Sequence, residues 1–327
     1  MLRGFKAENM QVIQYMSIQK MPLLYRLLQK TLCQESMIIF DLEDSLSDRD
    51  IKKAKRLKSW GRSELAKFAN SNPDFFKAKA VGIRVNGLKS GEFERDLETI
   101  AEISQIWDLQ CIVGPKIDSL ESIQEYLSCL KNKKVRYKTF IPIIETIKGM
   151  NNLSSIVSHV SIVDAMYGYY DYSLDSGHWP FFEHDEVEFW QTASFFIQTV
   201  EKAGVRYVHP TISFICNKEL SAQVWLRLQT LCRLPFSINT INSAQTAFFN
   251  RLSNAPLQIK KSDLRSSSYS MQDKIDQALY VKKICSMKNR NFGFDPKTGK
   301  FFAPHHYIAA LQFLEQLNEK GSWTSSV

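Results

Sequence analysis

Apolar runs that close on a polar or charged residue recur along this chain, separated by stretches with helical periodicity. Eight of them read as strands, in order Gln11–Ser17, Met37–Asp44, Ala80–Asn86, Cys111–Ile117, Lys138–Thr146, Ile162–Gly168, Arg206–Ile212 and Phe236–Ile241. Near-continuous apolar character is what a strand buried on both faces requires, and parallel strands of this kind need a crossover before the next one. The spacing supplies those crossovers. Asp48–Ala69 carries an apolar stripe of Ile51, Ala54, Leu57, Leu65 and Phe68; Phe93–Ile106 carries Phe93, Leu97, Ile100 and Ile103; Val187–Ala203 and Lys218–Leu231 follow the same rule. Eight strands with helices between them over about 250 residues predict a (β/α)8 TIM barrel, here spanning residues 9–252. An open doubly wound sheet is the alternative, but no GxGxxG turn follows a strand to support it.

The pattern breaks near Pro256. Residues 253–270, which include PLQIKKSDLRSSSYS, are basic and Ser-rich and read as a linker. Helical spacing returns over Met271–Met287, FGFDPKTGKFF signals a turn between two aromatic pieces, and His306–Leu317 reads as a closing helix. Residues 271–327 are therefore expected to form a small C-terminal helical lid.

In a barrel of this kind chemistry gathers at the C-terminal rim, so the polar residues that close the strands are the candidates. Glu145 and Asp171 lie at or just beyond the ends of successive strands, which lie about 4.8 Å apart, so both carboxylates can reach one hard cation. Two carboxylates, with water and substrate completing the shell, suit Mg²⁺ or Mn²⁺; capping of the following helices is the plainer alternative. Glu43 and Asp44 close the second strand, and adjacent like charges need a cation, an arginine or bridging waters between them. Arg84, set among apolar neighbours, needs an anion: a substrate carboxylate or a developing oxyanion, or else a structural pairing with Glu43. Asn86 in the same strand, Lys116 in VGPKI and His209 in RYVHPTI are candidates for substrate contact. For Lys116 an electrostatic role is preferred over a Schiff base, which needs a lowered pKa. The run His178, Glu183, His184, Asp185, Glu186 has a metal-like composition, but its spacing fits no defined site.

Composition narrows the reading. The six cysteines form no CxxC pair, which suits a reducing compartment, and no apolar run reaches the roughly 18–20 residues of a membrane span. The N-terminus has no apolar core of a secretory signal, so a cytoplasmic location is expected. Of the net charge of +8, residues 256–300 hold most, with ten Lys/Arg against four acids. Such a stretch is either a solvated face or a contact for phosphates, from a cosubstrate or a nucleic acid.

With these residues in view, the chain resembles the HpcH/HpaI aldolase/citrate lyase family, in its citrate lyase beta-subunit-like branch. IIFDLEDS (Ile38–Ser45), IRVNGLKSGEFERDL, IVGPKIDSLESI, IPIIETIKGM and DAMYGYYDYSLDSG resemble five of its blocks in the same order, over roughly residues 36–177, and APHH (Ala303–His306) is similar to its C-terminal segment. The resemblance implies a Mg²⁺-dependent carbon–carbon lyase acting on a small 2-oxo or hydroxy acid, assembled as a homotrimer or hexamer. It places Glu145 and Asp171 on the metal-ligand positions, Arg84 on the substrate-binding arginine, and Glu43 and Asp44 on carboxylates that hold metal-bound waters. Three departures accompany it. The opening stretch QVIQYMSIQKMPLL lacks the phosphate-binding pattern, Asn239 stands where relatives carry a histidine, and GKFFAPHH lacks the acid that relatives acting on acyl-CoA carry before the C-terminal proline. The expectation is thus aldol-type chemistry without acyl-CoA thioesters. Phosphoenolpyruvate-type chemistry on a related metal-enolate barrel is the alternative, as is a degenerate lyase barrel that binds nucleic acid or a protein partner.

Overall fold

Strand β1 (Val12–Ser17) pairs with β2 (Met37–Asp41) on one side and with β8 (Ser237–Thr240) on the other, which closes the sheet. Between them β3 (Val81–Arg84), β4 (Leu109–Gly114), β5 (Tyr137–Ile144), β6 (Asp164–Tyr167) and β7 (Arg206–His209) follow in sequence order, all parallel. This is the expected (β/α)8 barrel. The computed structural model describes residues 12–21, 36–46, 48, 50–75, 79–254, 262–266, 268–286 and 292–319. The crossovers are α1 (Ile51–Ser71), α2 (Phe93–Ile106), α3 (Leu120–Asn132), the short α4 (Ile147–Asn151), α5 (Leu153–Val157) and α6 (Tyr169–Asp175), then α7 (Val187–Lys202) and α8 (Lys218–Leu231), with α9 (Ser243–Asn254) after β8.

The period of two along each strand sorts side chains into two cores. Ile13, Met37, Ile39, Cys111, Val113, Ile141, Ile143, Met166 and Val208 fill the barrel. Their alternates, such as Ile38, Phe40, Ile83, Ile144 and Tyr207, pack outward against the helices. Each of these large side chains contributes about 1.5–3 kcal/mol on full burial. Local signals place the helices. Asp50 caps α1 by accepting from the amides of Lys52 and Lys53, and Ser119, Thr146 and Asn217 cap α3, α4 and α8 in the same way. Each such cap contributes about 1 kcal/mol.

Strands end earlier than their apolar runs suggest. β2 stops at Asp41 because its carboxylate accepts the amides of Glu43 (3.0 Å) and Ser45 (2.9 Å), which turns the backbone into a single helical turn at Asp44–Leu46.

Beyond the barrel lie α10 (Met271–Ser286), an antiparallel hairpin of β9 (Gly293–Asp295) and β10 (Lys300–Phe302), and α11 (Pro304–Glu319). The hairpin forms at DPKTG, where Asp295 accepts from the Lys297 amide and the Thr298 hydroxyl and Gly299 takes φ 70°. This extension is stitched to the barrel. The Phe301 amide donates to the Ser213 carbonyl at 2.8 Å, Trp179 Nε1 donates to the Lys274 carbonyl at 3.1 Å, and Lys300 forms a buried ion pair with Glu183. The described part of the expected linker is also tied down, since Arg265 exchanges backbone hydrogen bonds with Asp185 and Val187. Of the basic stretch, Lys260, Lys261, Lys288 and Arg290 lie outside the described residues. Among the described residues no helix is long and apolar enough to cross a membrane.

Candidate active site

Parity carries Asp41, in phase with Met37 and Ile39, and Arg84, in phase with Gly82, to the inner edge of the C-terminal mouth. There Arg84 Nε donates to Asp41 Oδ1 at 2.8 Å and Nη2 to Asp41 Oδ2 at 2.7 Å, while Nη1 reaches Glu43 at 3.0 Å and Asp44 at 3.1 Å. The guanidinium also lies 5.1 Å from the Tyr15 ring centroid. Arg84 is therefore shared by three carboxylates, one of which, Asp41, sequence reasoning did not single out. The planar fork expected to hold a substrate carboxylate is committed to Asp41, and Nη1 is shared by Glu43 and Asp44.

On the next side of the mouth, Glu145 follows β5 and is only 4% exposed, not an open rim residue. Gly168 makes room for it, because a Cβ there would stand 2.7 Å from Glu145 Oε2. Glu145 Oε1 accepts the Lys116 amide at 2.7 Å, a hydrogen bond aimed by the left-handed backbone of Lys116 at φ 56°. That conformation is uncommon outside glycine and marks a constrained turn. Asp171, in the first turn of α6, reaches Lys116 Nζ at 3.7 Å and His305 Nε2 at 2.9 Å. Neither carboxylate caps a helix through its side chain: Thr146 caps α4, and α6 has no side-chain cap. His305 comes from the extension, and sequence reasoning passed over it. Its only signal was its place in APHH.

The charges of these groups act on one another. Burial pushes the Glu43 carboxyl up to about 8, reinforced by Asp44 and only partly opposed by Arg84. Burial also holds Glu145 well above the usual carboxylate range, with Asp171, Glu43 and Asp44 adding to it. Asp44 goes the other way: burial is overcome by Arg84, His305 and Lys116, which draw it down to about 2. His305 rises to about 9 against its burial because of Asp171, and Lys116 is raised against its burial first by Asp171. One carboxylate oxygen each of Asp44 and Asp171 and one ring nitrogen of His305 lie within 4.8 Å of one another.

The mouth thus gathers Glu43, Asp44, Arg84, Lys116, Glu145 and Asp171 from the sequence-derived candidates. It does not gather the other two. Asn86 is fully buried, with its amide and Nδ2 donating to Asp96 and Nδ2 also to the Leu42 carbonyl, while its Oδ1 accepts from Lys58. Its hydrogen-bonding capacity secures the base of α2, where Asp96 also pairs with Arg62 of α1 at 2.9 Å. His209 is out of phase with the inward Val208. Its ring faces the helices, where Nδ1 meets the Tyr207 hydroxyl at 3.0 Å and the ring stacks on Trp190 at 5.7 Å. The acid run at 183–186 serves the extension instead: Glu183 pairs with Lys300, and Asp185 and Glu186 pair with Arg265.

The family model for HpcH/HpaI aldolase/citrate lyase matches residues 27–221. In structure the chain is similar to a citrate lyase from Burkholderia xenovorans LB400, at 14% identity and a TM-score of 0.61, covering 97% of this chain and 94% of the other. It is similar to a citrate lyase beta subunit from M. tuberculosis complexed with oxaloacetate and magnesium, at 14% identity and a TM-score of 0.57, covering 77% and 100%. RipC from Yersinia pestis gives 17% identity and a TM-score of 0.56, covering 77% and 98%. At these identities the likeness is one of fold. No curated protein sequence matches the chain.

Proposed function

Because the chain belongs to the HpcH/HpaI aldolase/citrate lyase family, we propose that it is a divalent-metal-dependent carbon–carbon lyase, working at the mouth built by Asp41, Glu43, Asp44, Arg84, Lys116, Glu145, Asp171 and His305. The substrate class is a small free hydroxy acid, the aldol adduct of a 2-oxo acid. The observation that carries this reading is a charge imbalance. Among the described residues, the carboxylates of Asp41, Glu43, Asp44, Glu145 and Asp171, when ionised, outnumber the cations of Arg84, Lys116 and His305 by five to three. The raised Glu43 and Glu145 register that excess. One divalent cation restores the balance, and an all-oxygen set of carboxylates with water is the chemistry Mg²⁺ takes. The related citrate lyase beta subunit complexed with oxaloacetate and magnesium supports the same class.

Glu145 and Asp171 would hold the cation, with Asp44 and Glu43 positioned to hold its waters. When bound, the cation polarises a substrate carbonyl as a Lewis acid. Aldol cleavage passes the hydroxyl proton to Glu43, breaks the adjacent C–C bond and moves the electron pair toward the oxo oxygen. Arg84 would face that charge by exchanging one of its Nη1 contacts to Glu43 and Asp44 for the substrate oxygen, and a single donor of this kind is worth about 3 kcal/mol. Lys116 supplies a second positive charge, suited to the substrate carboxylate. Glu43, whose carboxyl burial pushes up to about 8, holds that proton readily and suits its transfer to the carbon product.

The test is release of a 2-oxo acid from free hydroxy acids in the presence and absence of Mg²⁺, with malyl-CoA and citramalyl-CoA in parallel. Metal-dependent turnover of free acids is expected. Thioesters are expected to react poorly, since Phe301, Phe302 and Ala303 occupy the segment where acyl-CoA enzymes of this family carry an acid. Robust Mg²⁺-dependent turnover of the thioesters, or no metal-dependent release from any free acid, would overturn the reading.

A further inference from the structure

Resting on the metal reading above, we propose that His305 joins Asp171 and Glu145 as a protein ligand of the cation, and that this imidazole, delivered by the C-terminal extension, shifts the site's preference from Mg²⁺ toward a first-row transition ion. The geometry is already close to that of a coordination shell. His305 Nε2 and Asp171 Oδ2 stand 2.9 Å apart, and two adjacent ligands at right angles on bonds of about 2.1 Å stand about 3 Å apart. An oxygen of Asp44, the carboxylate placed to hold the cation's waters, lies within 4.8 Å of both.

A mobile histidine near an acidic site would be a neighbour, not a ligand. His305 is instead held from several directions by buried contacts that do not involve the site. The adjacent His306 lies in an aromatic box formed by Tyr170 at 4.9 Å, Phe181 at 4.8 Å and Phe302 at 5.6 Å, and its Nδ1 accepts the Ala303 amide. Two residues upstream of Ala303, the Phe301 amide is bound to Ser213. Lys300 is paired with Glu183, whose other oxygen takes the Ser213 hydroxyl at 3.0 Å. The His305 ring itself lies nearly parallel to Tyr170, with an interplanar angle of 20°. These contacts fix the backbone on both sides of His305 and its ring plane, the preorganisation that a metal ligand needs.

The chemistry then follows from ligand type. Mg²⁺ dehydrates reluctantly and gains little from exchanging a water for a nitrogen, whereas imidazole suits the later first-row ions, whose affinity rises along the Irving–Williams order.

Calorimetric titration of the full-length protein with Co²⁺ and with Mg²⁺ tests this, in the parent, His305→Gln and Asp171→Asn. Loss of the imidazole is expected to weaken Co²⁺ by about tenfold or more and Mg²⁺ by less than about threefold. Asp171→Asn is expected to weaken both. Pulsed electron paramagnetic resonance of Mn²⁺ in the parent, which needs no variant to fold, should show ¹⁴N coupling from one imidazole. Equal losses for both ions in His305→Gln, or no ¹⁴N coupling in the parent, would leave His305 as a counter-charge to Asp171 and overturn the inference alone. A parent that binds none of the three ions would overturn the metal reading together with it.

Discussion

Arg84 and Asp41 meet as two planar forks, joined by parallel hydrogen bonds of 2.8 and 2.7 Å across adjacent strands of the barrel. Bidentate pairing is the strong form of this interaction, and only the guanidinium has the shape for it. The same Asp41 carboxylate takes the Glu43 and Ser45 amides, so a single residue sets both the arginine and the turn that carries Glu43 and Asp44. Breaking a buried pair from one side leaves the other charge stranded, so Asp41→Asn is expected to cost about 3 kcal/mol, read from urea unfolding. Arg84→Lys should lose stability as well as turnover. A variant that lost turnover alone would mean that the Asp41 pairing contributes nothing to the fold.

Removing a cation ligand should leave the metal-free fold intact. The amide oxygen of Glu145→Gln can still accept from Lys116, and the change relieves a buried carboxylate crowded by Asp171, Glu43 and Asp44. Without metal this variant is expected to melt at or above the parent. At a metal concentration 100-fold above Kd the parent gains about 2.7 kcal/mol, and both Glu145→Gln and Asp171→Asn should lose most of that gain. Thermal melts with and without Mg²⁺ decide it: an undiminished shift in both variants would place the cation elsewhere.

Stability without metal should fall as the solution becomes alkaline. Glu43, raised by burial and Asp44 from 4.5 to about 8, and His305, raised against its burial by Asp171 from 6.5 to about 9, both bind more protons folded than unfolded. Their contribution is complete below the unfolded values and is lost as the pH passes the folded ones. Asp44, drawn from 3.8 to about 2, contributes above 3.8 and loses that contribution as the pH falls toward 2. The melting temperature is therefore expected to decline between pH 6.5 and 9, and the gain from added Mg²⁺ to grow over the same range. Melts at constant ionic strength would show a flat profile if these groups were not crowded in the folded state.

Gly168→Ala tests the packing behind Glu145. An added Cβ would stand 2.7 Å from both Glu145 Oε2 and Ile143 Cγ2, so something must shift. The expected cost is about 1–3 kcal/mol, the range for overpacking a filled interior. Mg²⁺-induced stabilisation should weaken too, because Glu145 is the side chain displaced. Unchanged metal response would show that Glu145 does not need its observed position.

The barrel, its strand order and four of the mouth's carboxylates, Glu43, Asp44, Glu145 and Asp171, are legible in the chain's periodicity, because strands buried on both faces must be apolar and their crossovers must be helices. The capping residues Asp50, Ser119, Thr146 and Asn217 are local signals, and they placed helix starts in the same way. The phase of each strand is fixed by its neighbours in the folded barrel. Alternation is local, but which alternate faces inward depends on register with the neighbours. That is why His209 faces the helices while Val208 fills the barrel. The tertiary structure also decided the partners: Asp41 and Arg84 are 43 residues apart and meet only when β2 and β3 pair, which spends the fork the sequence left open for substrate. His305 was marked only by its place in APHH. It reaches Asp171 because Lys300, Phe301 and His306 dock the C-terminal extension onto the barrel, and docking of distant segments is written in complementary surfaces that no periodicity along the chain records.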